Sequence, residues 1–117
     1  MSEMKIHVGD SLDDMGRRFV EAWRRAEKGD VAPERHLSFD SFETLTRVLT
    51  PKRLQLLRQL HGRPSASVAA LARQIGRDYK RVHEDVEALS AAGLIERGQS
   101  GATLVAPYDA IQTTIAL

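Results

Sequence analysis

The chain has 117 residues, 42% of them hydrophobic and 28% charged, with a formal net charge of +1. That length fits one ordinary domain, or a compact domain with an arm, and excludes two large independent ones. The apolar fraction excludes a disordered chain, no apolar run approaches the ~20 residues of a bilayer span, and the lack of any cysteine excludes disulfide scaffolds, thiolate zinc sites and cysteine nucleophiles.

Met1-Ser2-Glu3-Met4-Lys5 lacks the basic-then-apolar order of a secretory signal, so a cytoplasmic protein is expected. Residues 4–8 alternate apolar and polar side chains and stop at Gly9, which predicts a short strand. Asp10 or Ser11 can cap the next element. Leu12, Met15, Phe19, Ala22, Trp23 and Ala26 then recur at spacings of three and four, which predicts an amphipathic helix over 11–28. Leu37 and Phe39 alternate with Ser38 and Asp40 in a second short strand. Asp40 and Glu43 have the spacing of a capping box, with Phe42, Leu45, Val48 and Leu49 as the apolar face of the helix that follows.

Thr50-Pro51 is the sharpest punctuation. Threonine is a good N-cap, and proline suits the first helical position, where its missing N–H would be unpaired anyway. Leu54, Leu57 and Leu60 stripe a helix that stops at Gly62. Ser67 caps a second helix, Val68 to Ile75, with Val68, Leu71, Ala72 and Ile75 inward, and Gly76 ends it. Asp78 then caps a third, Tyr79 to Ala92, with Val82, Val86 and Leu89 inward. Residues 94–97 and 102–106 read as a hairpin around the Gly98–Gly101 turn. Residues 109–117 alternate once more and read as a strand with no hairpin partner, which a strand of another copy, or strand 4–8 of either chain, could pair.

Charge is unevenly placed. Residues 1–50 carry a balance of −2, residues 51–83 a balance of +7, and residues 84–117 a balance of −4. The basic block consists of Lys52, Arg53, Arg58, Arg63, Arg73, Arg77, Lys80 and Arg81 against Asp78 alone. Such a block is what phosphate binding needs, since each cation can displace a condensed counterion; a solvated helical face has the same composition.

Three helices, the last two joined by a tight turn, followed by a hairpin, follow the order of a winged helix-turn-helix. The third helix must have an apolar back and a polar front to enter a major groove. Tyr79, Lys80, Arg81, His83 and Glu84 supply that front. Lysine and arginine can donate to guanine, glutamate can accept from cytosine, and tyrosine and histidine can bond phosphate or stack on sugar. Arg97, Gln99 and Ser100 lie in the wing turn. Lys52, Arg53, Arg73 and Arg77 complete the expected DNA-binding set.

Residues 50–107 resemble the winged-helix transcriptional regulators of bacteria and archaea, the class that includes MarR-like and ArsR-like repressors. The words that carry this are Leu71-Ala72-Arg73-Gln74-Ile75-Gly76 and, above all, Leu89-Ser90-Ala91-Ala92-Gly93-Leu94-Ile95-Glu96-Arg97, which looks like the junction between recognition helix and wing. The run from Leu49 to Leu54, with Arg77 to Val86, is similar to a narrower group of small prokaryotic regulators encoded beside a toxin-like protein. That resemblance implies an antitoxin role and a small toxin protein as partner. The chain departs from ArsR metal sensors in having no cysteine pair.

Three function classes compete. The first is a dimeric, sequence-specific repressor, read as α+β, mainly α: a winged helix-turn-helix with an N-terminal strand-helix-strand-helix arm and a C-terminal strand. Residues 1–49 form the dimerisation or partner-binding arm, 50–107 the DNA-binding domain, and 108–117 a strand at the dimer interface. Ile6, Val8, Phe19, Trp23, Ile111 and Ile115 are the expected interface residues, because strands 4–8 and 109–117 would both be exposed edges in a lone chain. The second is a protein-interaction module whose acidic first half neutralises a basic toxin. The third is an effector-responsive regulator with a cavity lined by Phe19, Trp23 and Phe39. Enzyme chemistry is not expected: no Gly-rich phosphate loop follows a strand, and there is no HExxH or GxSxG. No cofactor, metal or membrane partner is expected; His83 and Glu87 are one helical turn apart but have no third ligand beside them. His7, His36 and His61 are scattered and carry no assigned role.

Overall fold

The computed structural model describes residues 2–9, 12–29 and 34–117. The protein is a small α+β chain, about half helical among the described residues. It divides into two compact units, residues 1–45 with 110–117 and residues 46–109. The expected helix caps at Asp10 or Ser11 lie outside the described residues.

The first unit is built on a parallel three-stranded sheet. Strand β1 (Glu3–Val8) runs into helix α1 (Leu12–Glu27) and back through β2 (Glu34–Phe39), parallel to β1. The last strand of the chain, Ala110–Ile115, pairs with the other edge of β1, again in parallel, so β1 is central. The expectation that strand 4–8 is an edge is therefore corrected. The tail strand finds its partner inside the same chain, with Met4 opposite Ile111 and Val8 opposite Ile115. Met4, Ile6 and Val8 are buried, as alternation demands of a strand with one apolar face. The polar face carries His7 and His36, whose rings stack with centroids 5.1 Å apart and whose Nε2 and Nδ1 atoms lie 2.8 Å apart. Two histidines that look scattered in sequence are thus neighbours through strand register.

Helix α2 (Phe42–Val48) is capped one residue later than the capping-box spacing predicts. Ser41 Oγ, not Asp40, accepts from the Thr44 amide at 3.2 Å. Only Leu45 of its expected apolar face is buried; Phe42 is exposed.

The second unit follows local sequence signals closely. Helix α3 (Pro51–Gly62) is capped by Thr50, which accepts from Arg53 N at 3.2 Å. Helix α4 (Val68–Ile75) is capped by Ser67, which accepts from Ala70 N at 3.0 Å. Helix α5 (Tyr79–Ala91) is capped by Asp78, which accepts from Arg81 N at 3.2 Å. The core is Leu56, Leu57 and Leu60 from α3, Leu71 and Ala72 from α4, Val82, Val86 and Leu89 from α5, and Leu94, Ile95, Leu104 and Ala106 beyond. Each fully buried Leu or Val contributes roughly 1.5–3 kcal/mol. The hairpin that follows is shorter than its sequence pattern, β3 (Glu96–Arg97) against β4 (Leu104–Val105). Its reach is extended by Ser65, which exchanges backbone hydrogen bonds with Leu104 at 3.0 and 2.8 Å. The tail strand described above, Ala110–Ile115, is β5.

The turn between α4 and α5 depends on Gly76, at φ 68°. Its amide and that of Arg77 return to the carbonyls of Arg73 and Ala72, which closes the α4 C-terminus. A Cβ in this left-handed conformation costs about 1–2 kcal/mol. Gly76→Ala should therefore lower unfolding free energy by about that amount in a denaturant titration; an unchanged midpoint would show that the turn relaxes.

Candidate nucleic-acid interface

The second unit sorts the expected site residues into two groups. On α5, at about 100° per residue, Val82, Val86 and Leu89 form one side and have no exposed surface. Tyr79, Lys80, Arg81, His83 and Glu84 are all exposed around the N-terminal half of the same helix. Tyr79 and His83 lie side by side on one flank, ring centroids 5.9 Å apart. Asp78 caps the helix at this end and leaves the other first-turn amides directed outward. Lys52, Arg58, Arg63 and Arg73 are exposed on the preceding elements, and Gln99 and Ser100 are exposed in the hairpin turn.

Arg53 and Arg77 behave differently. Both turn onto Asp85, with Arg53 Nε 3.0 Å from one carboxylate oxygen and Arg77 Nη2 2.9 Å from the other. Arg53 also donates from Nη1 to the carbonyls of Arg47 and Val48, at 3.1 and 2.9 Å, and so closes the C-terminus of α2. The three side chains are 14–20% exposed. They join α3, the α4–α5 turn and α5 from the inside. The basic block is thus not wholly a surface feature.

Arg97 is likewise engaged. It donates to the Gly101 carbonyl at 2.9 Å and pairs with Glu87 of α5, so it ties the hairpin turn to the helix. Glu87 lies 3.7 Å from His83 Nε2 as well. Its charge, on the outward side of α5, is offset by two neighbours. Arg97, expected to reach out from the wing, is exposed and also braces the hairpin against α5. His61 holds the end of the hairpin strand, its Nδ1 2.7 Å from the Ala106 carbonyl and its Nε2 3.3 Å from Asp109.

Among the described residues no three potential ligand side chains converge as a metal site, and no helix is long and apolar enough to cross a membrane. Sequence reasoning missed Asp85. The available signal was its place beside Val82, Val86 and Leu89 on the inward stripe, where an acid demands a partner.

The HVO_A0114 family profile matches residues 48–113, more than half of the chain. The chain belongs to the HVO_A0114 family. The matched span begins at the end of α2 and includes α3, α4, α5, the hairpin and the first residues of β5. The α5 front and the Arg53–Asp85–Arg77 cluster of this family member thus both lie inside it. No curated protein and no solved structure matches the chain.

Of the residues expected at a dimer interface, Ile6 and Val8 are buried within the single chain on the central strand. Ile111 is half-buried on β5, and Ile115 is exposed. Phe19 and Trp23 are exposed on α1, where they line a shallow groove with Val20, Arg24 and Glu27. Phe39 does not line it.

Proposed function

We propose that the second unit of this HVO_A0114 family member is a winged helix-turn-helix that binds duplex DNA. The chain as a whole acts as a dimeric, sequence-specific transcriptional repressor in the cytoplasm. The observation that carries the reading is α5 itself. Its back is sealed in the core, and its N-terminal half presents Tyr79, Lys80, Arg81, His83 and Glu84 to solvent, which is the division of labour that a groove-reading helix requires. Lys80 and Glu84 share the most outward side and read base edges; Arg73 and Lys52 meet phosphates. Arg53 and Arg77 hold the reading helix in place from within. Arg97 braces the wing, which leaves Gln99 and Ser100 at its tip.

Selection of bound duplexes from a random pool tests the reading, and recovery of a two-fold symmetric site would support both parts of it. On that site Lys80→Ala should cost about 1–3 kcal/mol and relax preference at one base position, whereas Arg73→Ala should weaken every sequence alike. Uniform losses from both variants would remove sequence readout from α5.

The second reading is a protein-interaction module that neutralises a small toxin protein through the first unit. It draws on the exposed apolar side of α1. Under it, DNA binding is secondary and autoregulatory.

A further inference from the structure

Helix α1 is turned the wrong way round for an ordinary surface helix. Its polar side is the half-buried one, with Asp14, Arg18 and Arg25 and with Arg18 Nη2 3.4 Å from Ser38 Oγ of β2. Its apolar side faces solvent: Phe19 is 69% exposed and Trp23 61%, with Met15 and Val20 beside them. A helix normally buries its apolar stripe, and a contiguous exposed one marks a contact surface.

We propose that this stripe is where a second copy of the chain docks, the two α1 helices lying antiparallel about a two-fold axis that passes between Phe19 and Val20. The proposal rests on the dimeric part of the function stated above. Two independent features of α1 select a second copy over another partner. The first is Gly16. Glycine in a helix interior is destabilising relative to alanine, and nothing lies within 4 Å of where its Cβ would stand. No packing among the described residues therefore accounts for it. Gly16 sits on the same side as Phe19 and Trp23, and the two-fold axis sets it opposite the second copy's Trp23. The space left by the missing side chain receives the indole. Trp23 is prepared for such a seat, because its Nε1 already donates to Glu27 at 2.7 Å, leaving the ring faces free of a polar demand.

The second feature is charge. The first turn of α1 is acidic, with Asp13 and Asp14, and the last turn is basic, with Arg24 and Arg25. Asp13 and Arg24 lie on one flank of the stripe, at about 100° per residue. An antiparallel two-fold keeps that flank on the same side of both helices and brings Asp13 of each chain to Arg24 of the other. A parallel two-fold would put the two flanks on opposite sides of the seam and leave Asp13 and Arg24 apart. Self-complementarity of this kind is what an isologous interface needs.

Sedimentation of the intact chain over a range of concentrations tests the proposal, with the emission of Trp23, the one tryptophan in the chain, as a second readout. The expected result is a dimer whose dissociation on dilution shifts the emission to the red. Trp23→Glu and Gly16→Leu should each weaken self-association by about 30-fold or more, as loss of a central aromatic contact does, with circular dichroism unchanged. Asp13→Arg and Arg24→Asp should each weaken it about three- to fivefold, and the double variant should recover. An intact dimer in which these variants pair as well as the parent would overturn the α1 interface while leaving the dimeric reading intact. An intact chain that stays monomeric, with red-shifted emission at every concentration, would overturn both and leave the stripe to a different protein. DNA affinity is read separately in either case.

Discussion

On the proposed reading of a dimer that binds duplex DNA, raising salt from 50 to 200 mM should weaken that binding by about 10³–10⁵-fold. Six of the eight cations in the basic block, Lys52, Arg58, Arg63, Arg73, Lys80 and Arg81, are exposed. About four of them meeting phosphates in each protomer gives about eight contacts for the dimer, and each contributes ~0.9 to the slope of log affinity against log salt. Arg53 and Arg77 are excluded from that number because Asp85 and backbone carbonyls already hold them. Arg97 is excluded because Glu87 and Gly101 hold it. The expected slope is therefore near −7, and Arg73→Ala should reduce its magnitude by about two in the dimer. Arg97→Gln should leave it almost unchanged. A flat salt response, measured by fluorescence anisotropy on a fixed duplex, would remove the exposed cations from the footprint.

Asp85→Ala should be the most destabilising single charge substitution in the second unit. Removing one member of a buried ion pair costs roughly 3–5 kcal/mol, because the charge left behind is neither solvated nor paired. Here two arginines would be left. About a fifth of each is exposed, so water relieves part of the cost and about 2–3 kcal/mol is expected. Replacing all three residues together, with Arg53→Met, Arg77→Met and Asp85→Leu, should recover most of that loss, since no charge is stranded. Chemical denaturation of the three chains, parent, Asp85→Ala and triple variant, reads both effects. A loss below about 0.5 kcal/mol for Asp85→Ala would show that the cluster is a surface pair of the ordinary weak kind.

The parts of this architecture that are legible in sequence are those decided within one turn of chain. Thr50, Ser67 and Asp78 cap α3, α4 and α5 as read, because a capping bond spans three residues and competes with nothing distant. The inward stripe of α5 was legible for the same reason. Strand partners were not: alternation says that residues 109–117 need a covered face, but nothing local says that their neighbour is β1, about a hundred residues earlier. The short hairpin strands fall in the same class, since the pattern over 94–97 and 102–106 continues past the residues that actually pair. The candidate site was half legible. The exposed front of α5 follows from periodicity. The engagement of Arg53, Arg77 and Arg97 within the unit does not, because each is held by a partner on another element or turn, 4 to 32 residues away. The stripe of α1 is apolar as its periodicity predicts, but a periodicity has no sense of which way it faces.

The central position of β1 sets an order of events during synthesis. The second unit is continuous in sequence, so it can fold as soon as residue 109 has left the ribosome. The sheet of the first unit cannot: β1 precedes the whole second unit, and one of its two neighbours arrives about a hundred residues later. Closing so long a loop costs entropy that short connections do not incur. Until then β1 carries an open edge beside its buried face, the kind of surface that pairs with the wrong chain. The helical unit would therefore stand folded while the sheet waits, and a nascent chain held at that stage is where chaperone capture or misassembly would concentrate.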